Sequence, residues 1–317
     1  MDVTSDGTLL PYEKIAAADI PTSSHWLVES LWLQSACGIL GGQPKCCKTW
    51  LGLDMAVSIA SATPCLGRFE VFDPGPTLVY LAEDSGAQVR ARVDGICKSR
   101  GLDIDELNLF IITAPTIRLD TECDQLKLSL TIEKIRPRFV LLDPLVRLHR
   151  LDENNAREIS GLLGFLRELE RRFAVAIMLT HHASKRASSR PGQSLRGSSD
   201  LHAFGDSNLY LSRTAHDITL TIEHRAAASI QPLTLILDDT SNMPHLVIQD
   251  AGKVADNSEF DLKTRVINNL KAAAGPTSRN LLRSQLRVNN QRLGQAISDL
   301  QVSGKIAITP EGLQFIP

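Results

Sequence analysis

The stretch Gly42–Thr49, with the sequence GQPKCCKT, constrains this chain more than any other feature. It follows a short apolar run and opens a helical pattern of apolar residues from Trp50 to Ile59, which gives the order strand, tight loop, helix. In that setting, backbone N–H groups of the loop can point at phosphate oxygens at the positive end of the helix dipole. We therefore predict a P-loop that binds a nucleoside triphosphate, and prefer it to an ordinary strand-to-helix turn.

The last residues of this loop carry the chemistry that we expect from it. Lys48 would reach the β- and γ-phosphates of ATP, and the Thr49 hydroxyl would ligate Mg²⁺. Cys47 stands where the pattern GxxxxGK[ST] has its second glycine, and a Cβ there restricts backbone angles that glycine permits. The other residues expected around the nucleotide are Gly42, Gln43, Pro44, Lys45, Cys46 and Trp50.

Apolar runs of strand length alternate along the chain with amphipathic helical stretches, which predicts an α/β fold with a parallel sheet and helices on both faces. Four of these runs end in polar residues. Because ligands of such sheets bind outside the carboxyl ends of the strands, we expect these residues to meet at one edge. They are Lys48, Thr49, Glu83, Asp84, Asp143, His181 and His182.

Two carboxylates at these strand ends are candidates for metal binding and catalysis. Asp143 fits the Walker B role of holding Mg²⁺, and the alternative is an Asp that begins a turn before Pro144. Glu83 is the candidate general base that would deprotonate the attacking water. Its alternative is compensation of a helix N-terminus, which Asp84 alone could provide.

His181 and His182 end the last of the four strands. Adjacent strand residues point to opposite faces of a sheet, and the sequence offers no third ligand nearby, so a zinc site is not expected. One of the two is interpreted as a sensor of the γ-phosphate, and the other as a core histidine.

The motifs GQPKCCKT, VYLAEDS, VLLDPL, the DEN of residues 152–154, LTHHASK and LRGSS follow the order found in RepA-like plasmid replicative helicases. Over roughly residues 20–240 the chain resembles this family of RecA-like P-loop ATPases, in the wider RecA/DnaB group. The resemblance implies a ring-shaped hexamer with ATP between subunits. It also implies that Glu83 is the catalytic base, Asp143 the Walker B residue, His182 or His181 the sensor, and Arg92 a nucleotide-site arginine.

The chain departs from the family where an arginine finger is expected shortly after RGSS, because Gly205-Asp206 stands there. The next candidates are Arg213 and Arg225, each at the end of a predicted strand. We favour Arg225, supplied to a neighbouring subunit, because a loop of small residues follows it. The alternative is an exposed strand end that pairs with Glu223 or with solvent.

Residues 183–200 predict a flexible loop rich in small residues, Gly and Pro. Its basic side chains could follow the phosphate backbone of single-stranded DNA without reading bases, whereas the alternative is a solvated surface loop. The candidate DNA-binding residues are Lys185, Arg186, Arg190 and Arg196.

Beyond residue 208 the pattern changes to short strands, which predict an antiparallel extension of the sheet. A polar stretch at 252–258 then leads to a tail with three helical patterns and a hairpin, which resembles a winged helix-turn-helix. We therefore predict an N-terminal segment (1–36) docked on the core, a RecA-like ATPase domain (37–252) and a winged-helix-like domain (259–317). The last would bind duplex DNA or a replication protein.

Composition limits the partners and the compartment. The net charge of −2 means that any nucleic-acid binding depends on local patches, and six cysteines without metal spacing suit a reducing cytoplasm. We expect no signal peptide and no membrane span. The sequence thus favours a ring-forming DNA helicase or translocase of a mobile element. The alternative is an ATP-switched DNA-binding regulator or a loading or recombination factor.

Overall fold

The structure is a computed structural model of the 317-residue chain, which divides into two compact units, Met1–Ile248 and Gln249–Pro317. The residues that it describes are 26–153, 155–182, 199–214, 217–239, 243–249, 263, 266–271, 273, 275–286, 290–309 and 312–316.

The described part of the first unit contains eleven strands and five α-helices. The strands are β1 (Trp26–Val28), β2 (Trp32–Leu33), β3 (Cys37–Gly42), β4 (Thr77–Leu81), β5 (Leu109–Ile111), β6 (Phe139–Asp143), β7 (Ala176–His182), β8 (Ser207–Arg213), β9 (Ile218–His224), β10 (Leu233–Asp238) and β11 (His245–Ile248). The helices are α1 (Lys48–Ser61), α2 (Gly86–Ser99), α3 (Glu122–Ile135), α4 (Ala156–Phe173) and α5 (Ser199–Phe204).

Nine of the strands form one sheet in the order β11-β10-β9-β8-β3-β7-β6-β4-β5. The pairs from β8 to β5 are parallel, and β9, β10 and β11 extend the sheet in antiparallel fashion. The predicted α/β class with a parallel sheet is confirmed, and so is the antiparallel extension. The strand β3, which leads into the P-loop, lies between β7 and β8.

The helices cover both faces of the sheet because each presents an apolar stripe to it. Apolar residues of α1 and α2 join one core cluster, and those of α3, α4 and α5 join a second cluster on the other face. In α4 the buried positions Leu162, Leu166 and Leu169 recur at helical spacing. Helix α2 begins at a capping box in which Ser85 and Gln88 satisfy each other's backbone N–H groups, as the predicted start at Ser85 requires.

The hairpin of β1 and β2 packs into the first core. Leu27 and Trp32 are fully buried, and the Trp32 indole donates a hydrogen bond to the carbonyl of Ala36. Close by, β3 and β8 approach so tightly that a Cβ at Gly38 would lie 1.7 Å from the Ser207 carbonyl oxygen. Position 38 therefore requires glycine, because the neighbouring strand β8 leaves no room for a side chain on β3.

The second unit has its own small core. It contains helical residues 266–271, α6 (Arg279–Leu286), α7 (Asn290–Val302) and the hairpin of β12 (Ile306–Thr309) with β13 (Gly312–Phe315). Leu282, Leu293 and Ile306 are among the buried residues that hold these elements together. The Ser278 hydroxyl accepts a hydrogen bond from the Leu281 amide, as a cap at the start of α6 should.

Two expectations from composition bear on this fold. The cysteines are free thiols, and Cys37, Cys46, Cys65 and Cys97 are buried as small apolar residues would be. Within the described part of the chain, we find no helix with the length and apolar content that crossing a bilayer requires.

Candidate active site

A pocket with a volume of about 460 Å³ lies at the carboxyl ends of β3, β4 and β6, next to the end of β7. Because parallel strands end at the same side of a sheet, residues at or just after the ends of five of them, β3, β4, β6, β7 and β8, meet here. The pocket is lined by Pro44, Lys45, Cys46, Cys47, Lys48, Thr49, Trp50, Glu83, Asp84, Arg92, Asp143, His182, Arg213 and Leu237. Most of the predicted site residues are thus brought together.

The loop before α1 has the left-handed backbone that a P-loop adopts at its second glycine, although Cys47 occupies that position here. Cys47 caps the helix in the left-handed region (φ 69°, ψ 26°), where a side chain costs about 1–2 kcal/mol relative to glycine. At Gly42 a Cβ would lie 2.5 Å from the Leu211 carbonyl oxygen and 2.6 Å from the Cys46 sulfur. The chain therefore keeps the P-loop conformation despite the substitution at Cys47.

Lys48 is a buried cation whose described hydrogen-bond partners are uncharged. Its ammonium donates to the carbonyls of Gly42 and Gln43, each at 2.9 Å, and lies 3.4 Å from Nδ1 of His182. Only 7% of the residue is exposed. The ammonium forms no ion pair with a described residue, and the charge of Asp143 acts on it only from a longer distance, so it is suited to an anion that enters the pocket.

Thr49 and Asp143 are held together as residues that could bind Mg²⁺. The Thr49 hydroxyl donates to Oδ2 of Asp143 at 2.7 Å, and Thr180 donates to Oδ1. Burial raises the pKa of Asp143, while the hydrogen bonds from the two threonines act in the opposite direction. A carboxylate and a hydroxyl are the oxygen ligands that Mg²⁺ prefers, with water and phosphate completing its shell. Accordingly, the described residues contain no group of three His, Cys, Asp or Glu that could hold a metal without such additional ligands.

The two neighbouring histidines have different surroundings, because they alternate across β7. His182 lines the pocket, and burial, followed by the charge of Lys48, lowers its pKa. A neutral imidazole at this position can accept a hydrogen bond from Lys48. His181 is buried 3.8 Å from the carboxylate of Glu153, away from the pocket lining. Of the two histidines, His182 is therefore the one that lines the pocket.

Glu83 follows β4 and borders the pocket, with its carboxylate about half exposed. Oε1 of Glu83 accepts a hydrogen bond from Nε of Arg147 at 2.8 Å. The adjacent Asp84 forms a two-bond ion pair with Arg92, at 2.6 and 2.9 Å. Arg92 also stacks 5.8 Å above the Trp50 ring. The predicted nucleotide-site arginine therefore stands at the pocket, but it is already compensated by Asp84.

The two arginine-finger candidates lie at opposite edges of the sheet. Arg213 ends β8 beside the P-loop and donates to the Lys45 carbonyl at 3.0 Å, so it lines the pocket of its own chain. Arg225 follows β9, which runs antiparallel to β8, and therefore lies at the amino-terminal end of β8, away from the pocket. There it pairs with Asp206 at 3.3 Å and donates to the Ala203 carbonyl. The alternative pairing of Arg225 with Glu223 is replaced by one with Asp206.

Some residues of the site carried no usable signal in the sequence. Thr180 lies in the middle of an apolar strand, and only the pairing of β6 with β7 places it against Asp143. Arg147 contacts Glu83 across 64 residues of sequence. The four basic residues predicted to contact DNA, Lys185, Arg186, Arg190 and Arg196, lie outside the described residues.

Comparisons with known proteins support the fold. A family model described as an AAA domain matches residues 9–188. No curated protein sequence matches the chain significantly. Among solved structures, the chain is similar to one titled "Crystal structure of the RadB recombinase", with 14% identity and a TM-score of 0.50. The match covers 65% of this chain and 88% of that one, and at this identity the likeness shows the fold alone.

Proposed function

Because the chain belongs to the AAA-domain family and has a RecA-like P-loop ATPase fold, we propose that it is an ATP-hydrolysing motor that depends on DNA. One observation carries the proposal most directly. A buried ammonium with uncharged partners, a buried carboxylate bonded to a P-loop hydroxyl, and a half-exposed glutamate border a single pocket. Charges arranged in this way suit a nucleoside triphosphate bound with a divalent cation.

In this proposal each residue has one role. Lys48 binds the β- and γ-phosphates, and Thr49 and Asp143 hold Mg²⁺, which neutralises phosphate charge when bound. Glu83 accepts the proton of the attacking water, and neutral His182 senses the γ-phosphate. The loop backbone of residues 42–47 surrounds the phosphates, with Trp50 and Arg92 at the rim of the pocket.

The form of motor that we favour is a ring-forming helicase or translocase of the RepA-like type. Its support is the order of motifs along the chain together with the basic composition of residues 183–196. Single-stranded DNA would contact that loop through its phosphates. The second unit, with its helices and hairpin, would act as a winged helix-turn-helix on duplex DNA or on a replication protein.

The second candidate is a recombination or loading factor, or an ATP-switched regulator, with the same nucleotide chemistry but no unwinding. It draws support from the likeness to a RadB recombinase and from the occupied state of the two arginines nearest the pocket. Since both described arginines that line the pocket already have partners within the chain, slow hydrolysis would suit a switch better than a motor.

Two assays on the full chain separate these candidates. The first measures ATP hydrolysis with and without single-stranded DNA, and the second measures displacement of a labelled strand from a forked duplex. Hydrolysis that DNA stimulates, together with strand displacement, supports the motor. Stimulated hydrolysis without displacement favours the switch, and the absence of ATP hydrolysis under all conditions would contradict both.

A motor of this kind needs a cation for the transition-state charge, and we propose that Arg225 supplies it to a neighbouring subunit. An arginine provided in trans contributes about 10³–10⁵ in rate. Mixing Arg225→Ala subunits with Glu83→Gln subunits, each inactive alone, should restore part of the activity at mixed interfaces. No recovery at any mixing ratio would contradict this role for Arg225.

A further inference from the structure

A second polar pocket, with a volume of about 570 Å³, also borders Glu83. It is lined by Tyr80, Ala82, Glu83, Pro115, Thr116, Arg118 and Arg147. Two arginines and one carboxylate therefore face this space. The shared wall residue, Glu83, means that whatever occupies the second pocket lies next to the proposed catalytic base.

Arg118 is fixed in place by backbone groups. Its Nη1 donates to the carbonyls of Arg147 at 2.9 Å and His149 at 3.3 Å, on the loop that follows β6. Its own amide donates to the carboxylate of Asp124, which Lys127 also neutralises. Within the described ranges no group accepts a hydrogen bond from the buried Nε of Arg118. The guanidinium thus has a rigid position and an unused donor.

Arg147, in contrast, is held by a single exposed ion pair. Its side chain is 62% exposed, and its Nε donates to Glu83 at 2.8 Å. It ends the short 3₁₀ turn Leu145–Arg147, which Pro144 separates from Asp143, the proposed metal ligand. Exposed ion pairs contribute little net stability, because water and other ions compete for both partners. A second anion could therefore exchange with Glu83 at low cost.

We propose that this pocket binds a phosphate group, and that Arg147 leaves Glu83 to bind it. Guanidinium groups bind phosphate oxygens with two parallel hydrogen bonds, and two of them here face one carboxylate. While Arg147 holds Oε1 of Glu83, only Oε2 of that carboxylate is left to accept a proton from water, and the ion pair fixes its orientation. The bound phosphate frees Oε1 and lets the carboxylate turn, so the pocket couples an anionic ligand to a faster hydrolysis. The inference rests on the proposed role of Glu83 in ATP hydrolysis.

A phosphate group could come from the backbone of single-stranded DNA or from a free phosphate, and one experiment distinguishes them. Hydrolysis at saturating ATP and Mg²⁺ is measured for the full-length wild type, Arg147→Ala and Arg150→Ala. Each is tested with oligo(dT), with inorganic phosphate and with chloride at the same ionic strength. Arg150 is the matched control, because it is an exposed arginine on the same loop and does not line the pocket.

We expect Arg147→Ala in chloride to hydrolyse ATP about two- to fivefold faster than wild type, which corresponds to losing one exposed ion pair. The ratio of its hydrolysis rate with the phosphate ligand to its rate in chloride should be smaller than that of the wild type. For Arg150→Ala, both the rate in chloride and this ratio should equal those of the wild type. Stimulation of the wild type by oligo(dT) alone assigns the site to nucleic acid, and stimulation by inorganic phosphate assigns it to the free ion.

The inference is overturned if Arg147→Ala hydrolyses ATP no faster than wild type in chloride, or if neither phosphate ligand stimulates the wild type more than chloride does. The first result leaves the proposed function standing, because a wild type that oligo(dT) stimulates is still a DNA-dependent ATPase. The second result leaves ATP hydrolysis standing but also removes the support for its dependence on DNA. A wild type that hydrolyses no ATP with any addition would instead contradict the proposed function, and the inference with it.

Discussion

The buried charged groups at the two ends of the parallel strands have different kinds of partners. At the carboxyl ends, Lys48 and Asp143 are bonded to carbonyls, hydroxyls and an imidazole. At the amino ends, Asp206 accepts hydrogen bonds from the Cys37 amide at 3.1 Å and from Arg167, and it also pairs with Arg225. At the amino ends these buried charges form ion pairs within the chain, whereas Lys48 and Asp143 at the carboxyl ends form none among the described residues and line a pocket.

This difference explains why one edge is suited to a ligand and the other to stability. A buried ion is costly unless an opposite charge accompanies it. The amino edge meets that requirement with its own arginines, so it needs nothing from solution. At the carboxyl ends Lys48 and Asp143 act on each other without forming an ion pair, so a polyanion at Lys48 and a cation at Asp143 would complete the compensation, as a nucleotide site requires.

The largest effect should come from Glu83→Gln at the carboxyl edge. We expect ATP binding to persist while turnover falls about 10²–10⁴-fold, the usual contribution of a general base. Steady-state hydrolysis and equilibrium binding of a fluorescent ATP analogue measure the two separately. If turnover stays near that of wild type, Glu83 is not the base, and the adjacent Asp84 becomes the candidate.

Asp206→Asn should affect stability instead of chemistry. It removes the charge that compensates Arg167 and Arg225, and since its side chain is only 19% exposed, we expect a loss of about 2–3 kcal/mol in urea unfolding. The control is Asp105→Asn, whose ion pair with Arg90 is largely exposed, so a change within about 0.5 kcal/mol is expected. Equal effects of the two variants would contradict the structural role that the ion pairs of Asp206 have at the amino ends.

Asp143→Asn should stabilise the fold at neutral pH, although it removes a proposed metal ligand. Burial raises the pKa of Asp143, so the folded state binds its proton more tightly than the unfolded state does. Ionisation of Asp143 therefore destabilises the folded state as the pH rises above 3.8, the ordinary pKa of an Asp. The greater stability of Asp143→Asn should disappear when the pH is lowered toward that value.

A variant whose effect on stability should have the opposite sign provides the control for this pH dependence. The hydrogen bond from Lys127 lowers the pKa of Asp124. The ionised Asp124 therefore stabilises the folded state above its ordinary pKa, and this stabilisation is lost as the pH falls through the lower pKa of the folded state. Asp124→Asn should therefore destabilise the protein at neutral pH. Thermal melting of both variants between pH 4 and 7 checks the pair, and the same sign for both would contradict the account.

The smallest effect is expected from Cys47→Gly, which relieves the left-handed backbone in the P-loop. Removing that strain is partly offset by the greater freedom of glycine in the unfolded chain, so the net gain should be at most about 1 kcal/mol. Ala62→Gly, at the other end of α1 with φ 55°, is the matched control and should give a gain of similar size. Destabilisation by Cys47→Gly alone would show that the thiol contributes packing at the pocket.

The sequence predicted the carboxyl edge well because its determinants are local. Each polar residue follows its own apolar run, and the rule for parallel sheets brings those run ends together without knowledge of strand order. This rule predicts the place of Asp143, and the P-loop pattern adds Lys48 and Thr49; the structure brings all three into one pocket.

The amino edge and the surroundings of Glu83 could not be predicted in the same way, since their partners come from distant segments. Arg167 on α4 reaches Asp206 only because α4 packs across β3 and α5, and the Cys37 amide is 169 residues from that carboxylate. From the sequence alone, Asp206 only marks the place where an arginine finger is expected, whereas the structure gives it hydrogen bonds and ion pairs that stabilise the fold. Arg147 likewise contacts Glu83 through the pairing of β4 with β6.

Calorimetric titration of ATP in the presence of Mg²⁺ tests the central claim most directly, with wild type, Lys48→Ala and Asp206→Asn compared under conditions where all three are folded. We predict one ATP bound per wild-type chain and unchanged affinity in Asp206→Asn. Affinity should fall about 10- to 100-fold in Lys48→Ala, through loss of charge-assisted hydrogen bonds to phosphate. Undiminished binding by Lys48→Ala, or no binding by the wild type, would contradict the assignment of the carboxyl edge as the nucleotide site.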